Sequence, residues 1–242
     1  MSGLNLTLRQ RATWLAHTAK SVTQDHHREM EPMLRQFIPE DGVVIDVGAH
    51  AGQMTRMFAD LAPRGHVYSF EPATYARSIL EIAVKLRRVR NVTILTHALG
   101  DNEGQLTLAT PLKRKARSMG YGLTHVTDGT MAPAANEFTE TVRATTLDTY
   151  AVEAGLTRLD FVKVDIEGWE GRFLAGAERT LARFHPALLL ELHAEMLKRG
   201  GDTPEDILAS LTALGYRAMK LPDISQVSPQ YDGPGDYLFV AR

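Results

Sequence analysis

A chain of 242 residues with 44% apolar side chains can bury one large core or two small ones. Its 27 basic and 29 acidic side chains leave a formal net charge of −2, which argues against the basic field of a protein that coats nucleic acid. Cysteine is absent, which removes disulfides, thiolate zinc sites, iron–sulfur clusters and cysteine nucleophiles together.

Residues 4–37 carry apolar side chains at helix-like intervals, with Leu4, Leu8 and Leu15 in one stripe and Met30, Met33, Leu34 and Phe37 in a second. Pro32 marks either a break between two helices or the first turn of a new one, and Pro39 ends the segment. The start has no signal-peptide apolar run, and nowhere are there about 18 consecutive apolar residues, so a soluble cytoplasmic protein with no membrane partner is expected. From residue 42, strands at 43–47, 66–70 and 92–96 alternate with helices at 53–61 and 76–88, an order that predicts a parallel sheet with right-handed crossovers. Residues 106–109 and 139–146 alternate apolar and polar side chains as a half-exposed hairpin does, around a segment from 110 to 136 rich in Gly, Pro, Ser and Thr. A loop that long is usually functional or mobile. The α/β order resumes with strands 161–165 and 187–192 around a helix at 171–184. A helix over 203–214 follows, with Thr203 as N-cap and Pro204 in its first turn, then strands at 216–220 and 237–241. The expected organisation is a helical arm, 1–40, and one α/β domain, 41–242, carrying a flap over about 105–147.

The most informative stretch is Asp46-Val47-Gly48-Ala49-His50-Ala51-Gly52, where a buried strand runs into a glycine turn that opens a helix. A dinucleotide fingerprint needs Gly-x-Gly-x-x-Gly; here His50 stands where its middle glycine lets the backbone approach a pyrophosphate, so NAD and FAD are disfavoured. S-adenosylmethionine has no phosphate, but its methionine end carries an ammonium and a carboxylate. Asp46 is placed to accept from the ammonium or to position the loop, and the backbone N–H groups of 48–52 to meet the carboxylate. A plain tight turn with a capping aspartate is the alternative. Glu71, held at the end of the second strand by Pro72, can accept from both ribose hydroxyls. Ala98-Leu99-Gly100-Asp101, past the third strand, suits an adenine face, although a β-turn explains Gly100-Asp101 equally well.

In the second half, Asp160-Phe161-Val162-Lys163-Val164-Asp165-Ile166-Glu167-Gly168-Trp169-Glu170 places a lysine inside a strand that should be nearly all apolar. Lys163 therefore needs a partner, and a structural pair with a carboxylate is the simplest. The strand order usual for such sheets brings Asp46, Asp165 and Glu191 to one edge, with His193 close to Glu191. Carboxylates sharing a cleft repel one another, so a cation is expected: Lys163, the sulfonium of the cofactor, or a divalent metal. Asp165, Glu191 and His193 as ligands would suit Mg²⁺ or Mn²⁺. Methyl transfer from a sulfonium is an in-line displacement that depends on alignment and exclusion of water. A hydroxyl is a poor nucleophile, so Asp165 or His193 is expected as base, with a metal as the rival means, and Lys163 completes the candidate catalytic set.

Taken in order, Asp46-Val47-Gly48-Ala49-x-x-Gly52, Glu71-Pro72, Ala98-Leu99-Gly100-Asp101, Thr146-Leu147-Asp148 and Lys163-x-Asp165-x-Glu167-Gly168-x-Glu170 resemble the FkbM family of methyltransferases over roughly residues 42–220. The resemblance implies a Rossmann-like class I methyltransferase fold with a mostly parallel seven-stranded sheet and helices on both faces, and S-adenosylmethionine as donor. It implies Asp46, Gly48, Ala49, His50, Gly52, Glu71, Pro72, Ala98, Leu99 and Asp165 as cofactor-binding positions, with Asp165 at the junction of donor and acceptor. Many members carry Asn where this chain has His50. Members commonly methylate hydroxyl oxygens of sugars, glycolipids or natural products, so a small hydroxylated acceptor is the expected partner.

Three rivals differ in testable ways. A nucleic-acid methyltransferase acting on cytosine C5 needs the absent cysteine, and one acting on amino groups usually carries Asp/Asn-Pro-Pro-aromatic where this chain has Asp165-Ile166-Glu167-Gly168. The basic cluster Lys113, Arg114, Lys115 and Arg117 reads as a solvated loop or an attraction for an acidic acceptor. A non-catalytic binding protein would bind the donor without turnover, and a nicotinamide oxidoreductase would prefer NADH. Gln24, Asp25, His26 and His27 read as surface residues of the arm or, in a homodimer exchanging arms, as a contribution to the neighbouring site.

Overall fold

The computed structural model describes residues 7–25, 27–113, 118–119, 124–127, 137–224 and 230–241. The arm begins with α1 (Leu8–Thr23), started by a capping box in which the Thr7 hydroxyl accepts from the Gln10 N–H and the Gln10 side chain accepts from the Thr7 N–H. A 3₁₀ turn at Arg28–Met30 leads into α2 (Glu31–Leu34), whose first turn holds Pro32. The arm lies on its own chain. The Trp14 indole N–H donates to Ser78 Oγ (2.8 Å), and Ser21 Oγ donates to the Ala51 carbonyl (2.6 Å) in the glycine loop. The buried Arg56 guanidinium donates to the Gln24 carbonyl and pairs with Asp25.

The first half runs β1 (Val43–Val47), α3 (Gln53–Leu61), β2 (His66–Phe70), α4 (Thr74–Leu86) and β3 (Val92–Leu95). After the flap come α5 (Leu147–Glu153), β9 (Phe161–Val164), α6 (Glu170–Ala175), α7 (Glu178–Phe184), β10 (Ala187–Leu192), α8 (Ala194–Leu197), α9 (Pro204–Ala213), β11 (Tyr216–Lys220) and β12 (Gly235–Ala241). The main sheet has seven strands in the order β11-β12-β10-β9-β1-β2-β3. It is mixed: β12 runs antiparallel to β10 and β11, and the other neighbours are parallel. Alternation along the strands gives each face its own core. Ile45, Val47, Val162 and Leu190 pack against Leu147, Phe173, Leu181 and Leu211, while Val44, Phe161 and Leu189 pack against Phe58, Leu61, Leu34 and Ile38. Burial on both faces is why these strands read as nearly continuous apolar runs. Leu34 and Ile38 come from the expected arm, so its second half is part of the domain core.

The flap contains β4 (Ala98–Leu99), β5 (Gly104–Lys113), β6 (Ser118–Met119), β7 (His125–Thr127) and β8 (Glu137–Thr145). The antiparallel β5–β8 pair is the expected hairpin, longer than its alternation suggested, and β7 adds to β5 from within the intervening segment. Of the basic cluster, Arg114, Lys115 and Arg117 lie outside the described residues, as does His26 of the arm. The single helix expected at 171–184 is two. At Gly176 a Cβ would lie 1.9 Å from the Gly100 carbonyl oxygen, so the chain breaks there to let the two backbones touch. Thr203 caps α9 in a reciprocal pair with Asp206, and Pro204 sits in the first turn as expected. Among the described residues no helix is long and apolar enough to cross a membrane.

Candidate active site

The carboxyl ends of β1, β2 and β9 open into a cavity of about 230 Å³, at the point where the chain reverses its direction of strand addition. Gly48, Ala49, His50, Glu71, Pro72, Ala98, Leu99, Lys163 and Asp165 line it, as their positions in the sequence imply. Gly48 turns the chain at φ +73°, and a Cβ there would lie 2.0 Å from the Asp165 carbonyl oxygen. Gly52 has φ +84° and presses on Leu80, behind the cavity wall. His50 has φ +51°, a conformation that Asn, Asp and His adopt more readily than other side chains.

The loop N–H groups are engaged inside the protein. Gly48 and Ala49 donate to the Phe70 carbonyl (3.0 and 3.1 Å), Gly52 to the Ala49 carbonyl (2.9 Å), and His50 to Glu71 Oε2 (2.7 Å). Through these bonds the Gly48, Ala49, His50 and Gly52 N–H groups donate within the protein, and the loop is held against β2. The other Glu71 oxygen accepts from the Ala73 N–H (2.9 Å), leaving each oxygen a lone pair at the cavity wall. Burial pushes the Glu71 carboxyl up to about 7, against the opposing pull of the Ala73 and His50 N–H groups, Lys163 and Arg77.

Asp46 is fully buried beneath the loop and does not reach the cavity. Its Oδ2 accepts from Thr55 Oγ1 (2.6 Å) and its Oδ1 faces the Lys163 ammonium at 3.7 Å, so of its two expected roles the geometry gives it the positioning one. Lys163 donates to the Gly48 carbonyl (3.0 Å) and lies 3.2 Å from Asp165 Oδ2. Burial alone would lower the lysine; Asp165 and Asp46 outweigh it and hold the ammonium charged. Asp165 in turn stays below the usual carboxylate range, Lys163 overcoming the cost of burial. Burial and the adjacent Asp165 charge push Glu191 up to about 7.

A second opening of about 60 Å³ adjoins the first and shares His27, Met54, Lys163 and Asp165 with it; Met30, Val164, Leu189, Glu191 and Asp236 complete its lining. His193 lines neither opening. The chain turns into α8 directly after β10, and the His193 carbonyl accepts from the Met196 and Leu197 N–H groups (2.9 and 3.0 Å) while its ring Nδ1 is buried without a hydrogen-bond partner. The expected metal set of Asp165, Glu191 and His193 is therefore not assembled, and among the described residues no three His, Asp or Glu side chains form a group able to hold a metal. The cation beside these carboxylates is Lys163.

Other motif residues shape the site. Glu170 is buried, and its Oε1 accepts from the Ile166 and Gly168 N–H groups (3.1 and 3.3 Å), pinning the turn after β9. Gly168, at φ +101°, leaves room for the Met196 carbonyl, which a Cβ would approach to 2.0 Å. Asp148 accepts from the Thr180 N–H and hydroxyl (both 2.7 Å), tying α5 to α7. Sequence reasoning missed several lining residues. Gln53 and Met54 come from the start of α3; Leu108, His125 and Val126 from the flap; Glu167 and Trp169 from the turn after β9; and His27, read either as a surface residue or as a contribution to a neighbouring site, lines the cavity of its own chain. Asp236 stands opposite Glu191 in the antiparallel β10–β12 ladder, a pairing that needs the direction of the last strand to be known.

The family model described as the methyltransferase FkbM domain matches residues 46–218. The 2-O-methyltransferase NoeI of Sinorhizobium fredii (strain NBRC 101917 / NGR234) is 24% identical over 193 residues, which is 75% of each chain. The methyltransferase FkbM from Methylobacillus flagellatus superposes with a TM-score of 0.54 at 13% identity, covering 96% of this chain but 59% of its own length. Fibrillarin from Aeropyrum pernix, solved with natively bound S-adenosyl-L-methionine, superposes at 0.50 with 13% identity, covering 88% of this chain and 74% of its own. The chain belongs to the FkbM family of methyltransferases.

Proposed function

We propose that this methyltransferase takes its methyl group from S-adenosylmethionine and delivers it to a hydroxyl oxygen of a small molecule of the sugar or natural-product class. The observation that carries the reading is the position of Asp165, which lines both openings and is held there by a lysine whose remaining contacts are already filled. The donor cavity suits the cofactor. Glu71 offers acceptor positions for a ribose diol, and Pro72, Ala98 and Leu99 offer apolar wall for a purine. Asp165 and Glu167 make the adjoining end favourable for a sulfonium. The 2-O-methyltransferase relative supports oxygen as the acceptor atom.

Bound S-adenosylmethionine supplies a methyl carbon activated by its positive sulfur. The chain's part is to align a hydroxyl with that carbon, exclude water and remove one proton. Asp165 is ionised and reaches the second opening, so it can accept that proton. A weak base suffices, because the hydroxyl becomes strongly acidic only as its oxygen bonds to carbon. Lys163 keeps the Asp165 carboxylate at the end of β9 and, through the Gly48 carbonyl, fixes it relative to the loop. The test is a calorimetric titration with S-adenosylmethionine and S-adenosylhomocysteine, followed by transfer of labelled methyl to a panel of hydroxylated acceptors. Donor binding with label on an ether oxygen is the expected result. Absence of heat with either compound, or label on nitrogen alone, would sink the proposal.

A further inference from the structure

If the reading above holds, the second opening receives the other reactant, and its walls state what kind. Its volume of about 60 Å³ takes the space of roughly four or five waters, so it admits the reacting edge of an acceptor and not the whole molecule. Met30, Met54 and Leu189 give it an apolar side suited to the C–H face of a saturated ring. Asp165, Glu191 and Asp236 also line it, and their oxygens can accept from neighbouring hydroxyls or an ammonium. Lys163 is paired with Asp165 and Asp46 and donates to the Gly48 carbonyl, so Glu191 and Asp236 carry the acidic character of this wall. His27 is the other basic group in the lining, and its field acts on Asp236.

These walls come from distant parts of the chain. His27 and Met30 belong to the arm, which the Ser21–Ala51 bond and the Arg56–Gln24 and Arg56–Asp25 contacts hold against the domain. The arm therefore contributes to the wall of this opening.

We propose that the second opening is the acceptor subsite, that it selects the hydroxyl-bearing edge of an uncharged or amino-substituted sugar over a phosphorylated one, and that Asp236 together with the arm residue Met30 sets that choice. Like charges facing a ligand at close range are a strong means of rejection, whereas the apolar side rewards a ring face.

The test uses full-length protein saturated with S-adenosylhomocysteine and three probes: methyl β-glucopyranoside, glucosamine and glucose 6-phosphate, with binding read by ligand-observed NMR. Glucosamine and the glucoside should bind at least about tenfold more tightly than the phosphate ester. Asp236→Asn should shrink that gap about fivefold while leaving affinity for S-adenosylhomocysteine unchanged. Met30→Ala, which removes only apolar wall, should weaken the glucoside about threefold and keeps the proposal open to refutation if the first variant misfolds. Tighter binding of glucose 6-phosphate, an unchanged gap in Asp236→Asn, or no response from any sugar would overturn the subsite. Failure of S-adenosylhomocysteine itself to bind, seen in the first titration, would overturn the donor reading and the subsite with it.

Discussion

The donor cavity and the opening beside it share Lys163 and Asp165 but are built of different material. One wall of the donor cavity is backbone: Gly48, Ala49, His50 and Gly52 are locked to Phe70, Glu71 and Ala49, and a Cβ at Gly48 would collide with the Asp165 carbonyl. The other side is made of side chains carried by the arm, α3, β10 and β12. A backbone cradle cannot change residue by residue, so it suits a ligand that never varies. Side chains on four separate elements can be exchanged without moving the sheet, so they suit a ligand that differs between relatives. Lys163 is where the two constructions meet.

Substitution of Lys163 should have the largest effect, because it reaches both sides. Lys163→Met leaves Asp46 buried at 0% exposure with no cation, and loss of one partner from a buried pair costs about 3–5 kcal/mol. Urea denaturation should show that loss, with Asp46→Asn in the same chain restoring part of it; a change below about 1 kcal/mol would mean the two sides are not joined through this residue. Gly48→Ala comes next. The left-handed backbone costs a side chain about 1–2 kcal/mol, and the Asp165 carbonyl must also move. Calorimetry should show donor affinity falling by at least about tenfold, alongside a fall in thermal stability of the same order as the strain.

The pH response of Glu71 sharpens the contrast. Its folded carboxyl titrates at about 7, above the ordinary 4.5, so the folded chain holds the proton more tightly than the unfolded one. Its contribution to stability is therefore full below pH 4.5 and is lost as pH rises to about 7. Glu170 and Glu191, also pushed up to about 7 by burial, act in the same direction. Donor binding should move the opposite way, because ribose hydroxyls donate to the ionised form. Affinity should rise up to about tenfold between pH 6 and 8, and Glu71→Gln should flatten that rise. A profile unchanged in Glu71→Gln would remove Glu71 from the donor site.

The residues lining the first cavity at the strand ends were legible because their signals are local. Asp46 to Gly52 and Glu71-Pro72 lie at strand ends that apolar runs mark plainly, and Lys163 stood out as a charge within such a run. What a motif could not tell is which residues touch ligand: Asp46, Asp148 and Glu170 prove to be held by protein groups. The second opening was illegible for a topological reason. Asp236 stands opposite Glu191 only because β12 runs antiparallel, and His27 lines the same opening as Asp165 only because the arm folds back onto Arg56 of α3. The break at Gly176 escaped the helical pattern because its cause, the Gly100 carbonyl, lies in another segment.

His193 is the residue on which sequence and structure part most sharply, and it yields the smallest expected effect. Its place after β10 and beside Glu191 in sequence suggested a base or a metal ligand. In the fold the chain has already left the sheet edge there, and the His193 backbone carbonyl closes the first turn of α8. The ring borders neither opening, and its field falls on Glu195 instead. A base must come within hydrogen-bond reach of the proton it removes, directly or through one water. His193→Ala should therefore leave kcat/KM within about twofold of the parent, while Asp165→Asn lowers it by about a hundredfold or more. A hundredfold loss in His193→Ala with donor binding intact would show that α8 moves its histidine into the site during turnover, and would return the base to the acceptor side of Glu191.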